Sequence, residues 1–285
     1  MLIQITNHCT LNCPHCMHNS EENEQFMSEE VFKKALLFGE YSGCLRYNIS
    51  GGEPTEHPLL EQFVDLLAHH LDSAKVSVNP AIQRMYTEMG KPIPSFTIES
   101  NGEWCRDFKK TATVKRILRE RRLEVFQVCS IKGLYRNYDF IMKHKKNIEK
   151  LSRKIYVHTD GIFSMQDLGR AKDSEVAQKQ VRENKYNISC LNGCLLSKQI
   201  SDFPQMSQAL FLHDQTCKPL IDWKGDVHWG ESIFCASYGN VLTDDFEKIW
   251  DSMRKAKPCG KCALYKKLLD STDEKIVIAR AIMGL

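Results

Sequence analysis

Three thiols lie on one short loop near the start of the chain, Cys9-Thr10-Leu11-Asn12-Cys13-Pro14-His15-Cys16. A closed iron–sulfur cube takes four protein ligands, so three cysteines leave one iron open to something that is not protein. An open iron suggests catalysis. The competing chemistry is a structural zinc site, with His15 or His18 completing a set of three cysteines and one histidine. A second stretch, Tyr47-Asn48-Ile49-Ser50-Gly51-Gly52-Glu53-Pro54-Thr55, reads as a short strand ending in a glycine turn. Gly51 and Gly52 let backbone approach a ligand with no Cβ in the way. Its plainer reading is an ordinary strand-to-helix turn, with Pro58 opening the next helix.

The spacing CxxxCxxC directly after the β-like run Leu2-Ile3-Gln4-Ile5-Thr6, followed by GGEP after the span of one helix and one strand, resembles the radical S-adenosylmethionine (SAM) superfamily. The resemblance implies a [4Fe-4S] cluster on Cys9, Cys13 and Cys16 whose open iron is chelated by SAM, and reductive cleavage of SAM to a 5′-deoxyadenosyl radical. It also implies that Gly51, Gly52 and Glu53 hold SAM, with Glu53 and the strand-end carbonyls accepting from its amino group. The residue before the third cysteine is usually aromatic in that family, and here it is His15. Phe96-Thr97-Ile98-Glu99-Ser100-Asn101-Gly102 resembles the family's third strand and its turn, with Asn101 a candidate SAM contact, although Asn-Gly is also a common turn pair. Val125 to Gly133 resembles the fourth strand, whose trailing Ser130 is either a cofactor contact or a helix N-cap. Asp167-Leu168-Gly169-Arg170-Ala171 resembles a GRA segment, with Arg170 a candidate for a bidentate contact to the SAM carboxylate or a solvated surface charge.

Each of these strands is followed by a helical pattern. Residues 28–37 start with a capping serine and acids, then carry apolar residues at helical spacing, and residues 58–71 repeat the pattern with Leu59, Phe63, Leu66 and Leu67 on one face. A short basic helix is expected over 113–122 and another helix over 138–151. Strands alternating with helices imply an α/β fold with a parallel sheet, and by resemblance a partial (β/α)6-type barrel with the chemistry at the strand C-terminal ends. Only one helix and one strand, over 154–158, fit between the fourth-strand motif and the GRA segment, so a shortened barrel is expected. An open side must then be covered by a second domain or by substrate.

The C-terminal part supplies a cover. Between Cys217 and Cys235 the run Ile221-Asp222-Trp223-Lys224-Gly225-Asp226-Val227 reads as a β-hairpin around Gly-Asp. Tyr238-Gly239-Asn240-Val241 leads to a helix over 244–253 carrying Trp250, then Cys259-Gly260-Lys261-Cys262. This order resembles the Twitch domain, the shortened form of the SPASM extension, and implies an auxiliary [4Fe-4S] cluster on Cys217, Cys235, Cys259 and Cys262. A zinc ribbon is the alternative. The expected organisation is a barrel over 1–171, a linker over 172–216 and a Twitch-like domain over 217–285. In the linker, Cys190 and Cys194 are candidate catalytic thiols that could donate a hydrogen atom to a substrate radical, serve as cluster ligands, or do nothing. Cys44, Cys105 and Cys129 read as buried small hydrophobes. His158, Asp160 and His228 are polar candidates for substrate contact, although a lone His is more often structural.

A chain of 285 residues accommodates one barrel and a small appended unit. Its 12 cysteines, clustered at metal-ligand spacings with no signal peptide, read as metal binding in a reducing cytoplasm rather than as disulfides. No apolar run reaches membrane-spanning length. A net charge of +3 points to no nucleic-acid or membrane partner, and the basic runs at 115–122 and 143–146 read as solvated faces. The expected partners are a small-molecule or peptide substrate and a low-potential flavodoxin or ferredoxin as electron donor. The chain starts at the first barrel strand, with no peptide-recognition domain ahead of it, which mildly favours a small substrate. The expected reaction is a two-electron oxidation with the auxiliary cluster taking the electron. Its rivals are a redox-neutral peptide epimerisation quenched by Cys190 or Cys194 and, in a different class, a non-enzymatic metal-binding or electron-transfer protein.

Overall fold

Among the described residues, eight strands form one sheet in the order β5-β4-β3-β2-β1-β6-β7-β8. They are β1 (Leu2–Gln4), β2 (Arg46–Ser50), β3 (Ser95–Ser100), β4 (Leu123–Cys129), β5 (Ile155–His158), β6 (Pro219–Ile221), β7 (Asp226–Trp229) and β8 (Ser237–Asn240). The structure is a computed structural model and describes residues 1–23, 25–73, 78, 80–159, 168–183, 219–230, 232–254 and 272. Strands β1 to β5 are parallel neighbours, β6 joins the other side of β1 in parallel, and β7 and β8 add on antiparallel.

Parallel neighbours need a crossover, and helices supply it. They are α1 (Glu29–Tyr41), α2 (Leu60–Ser73), α3 (Pro80–Glu88), α4 (Phe108–Ile117) and α5 (Tyr138–Glu149), with α6 (Glu175–Glu183) and α7 (Phe246–Arg254) further on. Helix α1 begins where the sequence predicts, because the Ser28 hydroxyl accepts from the Val31 N–H at 3.2 Å and Glu29 and Glu30 fill the first turn.

Alternation along the strands separates two faces. Val227, Ile221, Ile3, Ile49, Ile98, Phe126 and Ile155 pair across the sheet as one apolar row. That row packs under α1, α2, α4, α5 and α7, where the Phe32 and Phe63 rings stack at 4.2 Å. The next residue along each strand turns to the opposite face, which is polar: Gln4 pairs with Ser50, Glu99 with Gln127, Gln127 with Tyr156, and Cys129 with His158. At the strand N-terminal end this inner face is closed by charge. An extra residue in β4, Glu124, is inserted where the pairing with β3 slips. Its buried carboxylate meets Arg46 at 3.0 Å and Lys91 at 2.9 Å. The opposite end is left for chemistry.

Several expectations are corrected. The helix expected over 113–122 runs instead over Phe108–Ile117, because the Asp107 carboxylate caps it by accepting from the Lys110 N–H at 2.9 Å. Its basic residues are not simply solvated: Arg116 pairs with Glu61 and Asp65 of α2, and Arg122 with Asp72 at 2.8 Å. The hairpin turn is Asp222 to Gly225, closed by the Gly225 N–H on the Asp222 carbonyl at 2.9 Å with Gly225 at φ +92°, so Asp226 already belongs to β7. Tyr238-Gly239-Asn240 forms a strand, β8, and leads, as expected, into the helix α7, Phe246–Arg254. Helix α6 falls inside the expected linker.

Candidate active site

Beyond the strand ends, the cluster loop and the GGEP loop are tied together backbone to backbone. The Ile5 N–H donates to the Ser50 carbonyl at 3.0 Å, the Gly52 N–H to Thr6 at 2.7 Å, and the Glu53 N–H to His8 at 2.8 Å. A Cβ at Gly51 would stand 2.7 Å from the Thr6 carbonyl oxygen, and one at Gly52 only 2.2 Å from that of His8. The two glycines therefore admit the cluster loop itself.

Within the loop, Asn12 and Asn19 take positive φ, a conformation asparagine tolerates, and the Cys16 N–H closes a turn on the Cys13 carbonyl at 3.2 Å. The GRA segment clamps the loop from one side. Arg170 donates from its backbone N–H to the Cys16 carbonyl at 3.0 Å, from Nε to Cys13 O at 3.0 Å, and from Nη2 to Ser20 O at 2.6 Å. Its Nε and Nη2 are thus turned to loop carbonyls. From the other side, Ser232 in the β7–β8 connection donates to the Met17 carbonyl at 2.7 Å. That same connection carries Cys235.

Cys9 and Cys13 are buried and Cys16 is partly exposed, with none of the three in a disulfide. Burial pushes the Cys9 thiol up to about 12 and the Cys13 thiol up to about 11. The Leu11 N–H at Cys9 and the Arg136 N–H at Cys13 oppose this shift. The Ser20 N–H lies 3.3 Å from Cys16 Sγ, and Asn101 Nδ2 lies 3.7 Å from Cys9 Sγ. These are the surroundings of sulfurs that must carry negative charge. Among the described residues no three of His, Cys, Asp and Glu are gathered closely enough to hold a single metal ion. A cube spreads its thiolates over separate irons, so the donor set fits a cluster better than a mononuclear zinc site. His15 does not complete such a site: its Nδ1 faces the Leu134 carbonyl at 3.1 Å, its ring lies against Tyr135 with centroids 4.6 Å apart, and burial pulls it down to about 4. It occupies the place of an aromatic residue and packs like one.

Behind the thiols runs a buried polar network. The fully buried Glu53 carboxylate accepts from the Thr55 N–H at 3.0 Å, the Thr55 hydroxyl at 2.5 Å, the Ser100 hydroxyl at 2.8 Å and the Asn101 N–H at 2.7 Å. Burial pushes its carboxyl upward while these donors pull it back. The side chain therefore joins the ends of β2 and β3. Ser130 is also fully buried, and its hydroxyl donates to Asn137 at 3.1 Å. The Asn137 amide donates in turn to the Asn101 carbonyl at 2.8 Å. Sequence reasoning missed Asn137. Its signal was an asparagine immediately before the helix at 138, where the expected N-cap bond is absent because the side chain serves the network.

His228 is not a lone histidine: its Nε2 lies 3.4 Å from Asp222 and its Nδ1 3.2 Å from the Cys235 carbonyl. His158 stands at the end of β5, paired across the sheet with Cys129. Cys44 is core, as expected, whereas Cys129 is partly exposed on the inner face and accepts from Gln127 at 3.2 Å. Cys190, Cys194, Cys217, Cys259, Cys262 and Asp160 lie outside the described residues.

Comparison with known proteins gives a consistent result. The chain is 23% identical over 277 residues to the antilisterial bacteriocin subtilosin biosynthesis protein AlbA of Bacillus subtilis (strain 168), across 87% of this chain and 58% of that protein. It thus spans little more than half the length of that relative. Among solved structures, BtrN in complex with AdoMet and 2-DOIA matches with a TM-score of 0.50 at 14% identity, over 92% of this chain and 91% of that one. Native anSMEcpe with bound AdoMet and a Cp18Cys peptide matches with a TM-score of 0.50 at 12% identity, over 96% and 84%. These likenesses show the fold, a parallel α/β sheet compatible with a partial barrel. The sequence profile of the Radical SAM superfamily matches residues 3–156, more than half of the chain, and covers both the three thiols and GGEP. The chain belongs to the radical SAM superfamily, an assignment that implies an enzyme using SAM and a [4Fe-4S] cluster.

Proposed function

We propose that the chain modifies a peptide by a net two-electron oxidation, with Cys9, Cys13 and Cys16 holding the SAM-binding cluster. The observation that carries this reading is the loop of three thiols, each met by an N–H donor, poised over a polar sheet face. When bound, the cluster and SAM supply an electron-driven carbon–sulfur cleavage that generates a 5′-deoxyadenosyl radical. The backbone of Gly51 to Glu53 seats the amino end of SAM.

The inner face receives the substrate. On it Gln4 Oε1 and Asn48 Oδ1 are buried acceptors with no hydrogen-bond partner among the described residues, and the Asn48 amide holds the Glu99 carboxylate at 2.7 Å. Buried acceptors left open favour a ligand that brings N–H donors, as a peptide does. The names of the relatives support the same class, since AlbA serves bacteriocin biosynthesis and anSMEcpe is seen with a bound peptide. BtrN, seen with a small molecule, keeps the metabolite reading as an outcome of the test.

Cys217, Cys235, Cys259 and Cys262 hold an auxiliary [4Fe-4S] cluster in a Twitch-like unit over 217–285, which receives the electron released by the substrate radical. Its support is the position of Cys235, on a connection bonded to the cluster loop through Ser232 and Met17. Reconstituted wild type should then hold about eight irons and the Cys9/Cys13/Cys16 triple alanine variant about four. With SAM, reductant and a peptide encoded beside its gene, wild type should yield a product lighter by two hydrogens. A product of unchanged mass in ordinary water that gains one deuterium in heavy water would replace the oxidation with an epimerisation, and with it bring in Cys190 or Cys194 as the hydrogen donor.

A further inference from the structure

Asn101 is the one side chain among the donors found at the three thiols, and each of its own polar groups is committed. Its backbone N–H donates to Glu53 at 2.7 Å, and its carbonyl accepts from Asn137 at 2.8 Å. Its side-chain oxygen accepts from the Glu103 N–H at 2.8 Å, and its side-chain nitrogen lies 3.7 Å from Cys9 Sγ. The oxygen's bond to an N–H donor fixes which end of the amide is which, so the NH2 group faces the sulfur. The residue is buried, at 7% exposure, and Gly102 behind it takes φ +84° to turn the chain.

We infer that Asn101 sets the reduction potential of the SAM-binding cluster through an N–H···S hydrogen bond to Cys9, and is not itself a SAM ligand. The inference rests on the reading that Cys9, Cys13 and Cys16 hold that cluster. Reduction adds one electron to the cluster and so increases the negative charge on its sulfurs. A donor aimed at one of them stabilises the reduced state more than the oxidised one and raises the potential. The other donors are backbone N–H groups, which side-chain substitution leaves in place. Asn101 is therefore the position at which this sequence can adjust the potential without rebuilding the loop. The network through Glu53, Asn137 and Ser130 makes it a positioning residue, holding the amide to the sulfur from the ends of three strands.

The test is a redox titration of reconstituted wild type, Asn101→Ala and Asn101→Asp, following the reduced-cluster resonance that changes when SAM is added. Asp keeps the acceptor for the Glu103 N–H and so preserves the turn, while replacing the donor by a charged oxygen. Both variants should assemble the cluster and titrate at more negative potential, Asp further than Ala. For Asp the reduced-to-oxidised ratio at a fixed potential should fall about tenfold, ~59 mV for a one-electron couple. Ala at the wild-type potential would overturn the inference even if Asp shifts, since charge alone would then explain Asp. If Ala does not fold, Asn101→Ser takes its place, since its short hydroxyl offers the Glu103 N–H an uncharged acceptor without the amide donor: Ser at the wild-type potential overturns the inference and Ser at more negative potential sustains it. Wild type with no SAM-responsive cluster would overturn the underlying reading as well.

Discussion

Gly52 carries a steric demand that the sequence shows only in part. A glycine announces that a side chain is excluded, but not by what. Here the excluding atom is the His8 carbonyl oxygen, 2.2 Å from where a Cβ would stand, one residue before the first cluster cysteine. Gly52→Ala must push the two motif loops apart, so it should cost about 2 kcal/mol in a urea titration, the scale of overpacking a well-filled site. The same variant should retain several-fold less iron after gel filtration than wild type, because the loop that moves is the one proposed to hold the cluster. Full iron retention would return Gly52 to a role at the ligand. The roles of Glu53 and Ser130 were illegible for the same reason. Both are fully buried, and beside the nearby Thr55 the groups that bond Glu53 lie 47 and 48 residues away in sequence, while the partner of Ser130 lies 7 away.

The short turn Gly169–Asp173 acts as a unit at the next scale up. It is a 3-10 turn whose Gly169, at φ +54°, packs under the cluster loop and whose Arg170 spends three donors on that loop's carbonyls. Arg170→Ala removes the two side-chain donors and leaves the backbone one. Iron should then leave several-fold faster in the presence of a chelator, while far-ultraviolet circular dichroism stays unchanged. Equal release rates would show that the turn merely lies beside the loop. Strands β1 to β5 and helices α1, α2 and α5 were legible from period and capping. Helix α4 was misplaced because Asp107, its cap, sits upstream of the basic run that drew the eye. Strand β8 was missed because Ser237–Asn240 lacks apolar alternation and, among the described residues, pairs only with β7 at the sheet's edge.

Taken as a whole, the molecule divides along its strands. The N-terminal ends are sealed by the buried Glu124 with Arg46 and Lys91, and the C-terminal ends carry the thiols, the glycine turn and the Glu53–Asn101–Asn137 network. The hairpin β6–β7 was legible as a hairpin, but its parallel pairing with β1 was not, since a sequence pattern gives a strand's period without its partner. The link between the connection that carries Cys235 and the loop of Cys9, Cys13 and Cys16 is instead the Ser232 hydroxyl on the Met17 carbonyl at 2.7 Å. Among the described residues no helix is long and apolar enough to cross a membrane. The account's central claim is that these three cysteines hold a cluster that cleaves SAM. Anaerobically reconstituted, dithionite-reduced protein incubated with SAM should release 5′-deoxyadenosine, and the Cys9/Cys13/Cys16 triple alanine variant should release none. Reduced, cluster-loaded wild type that leaves SAM intact, or a triple variant that cleaves it as well as wild type, would contradict the account.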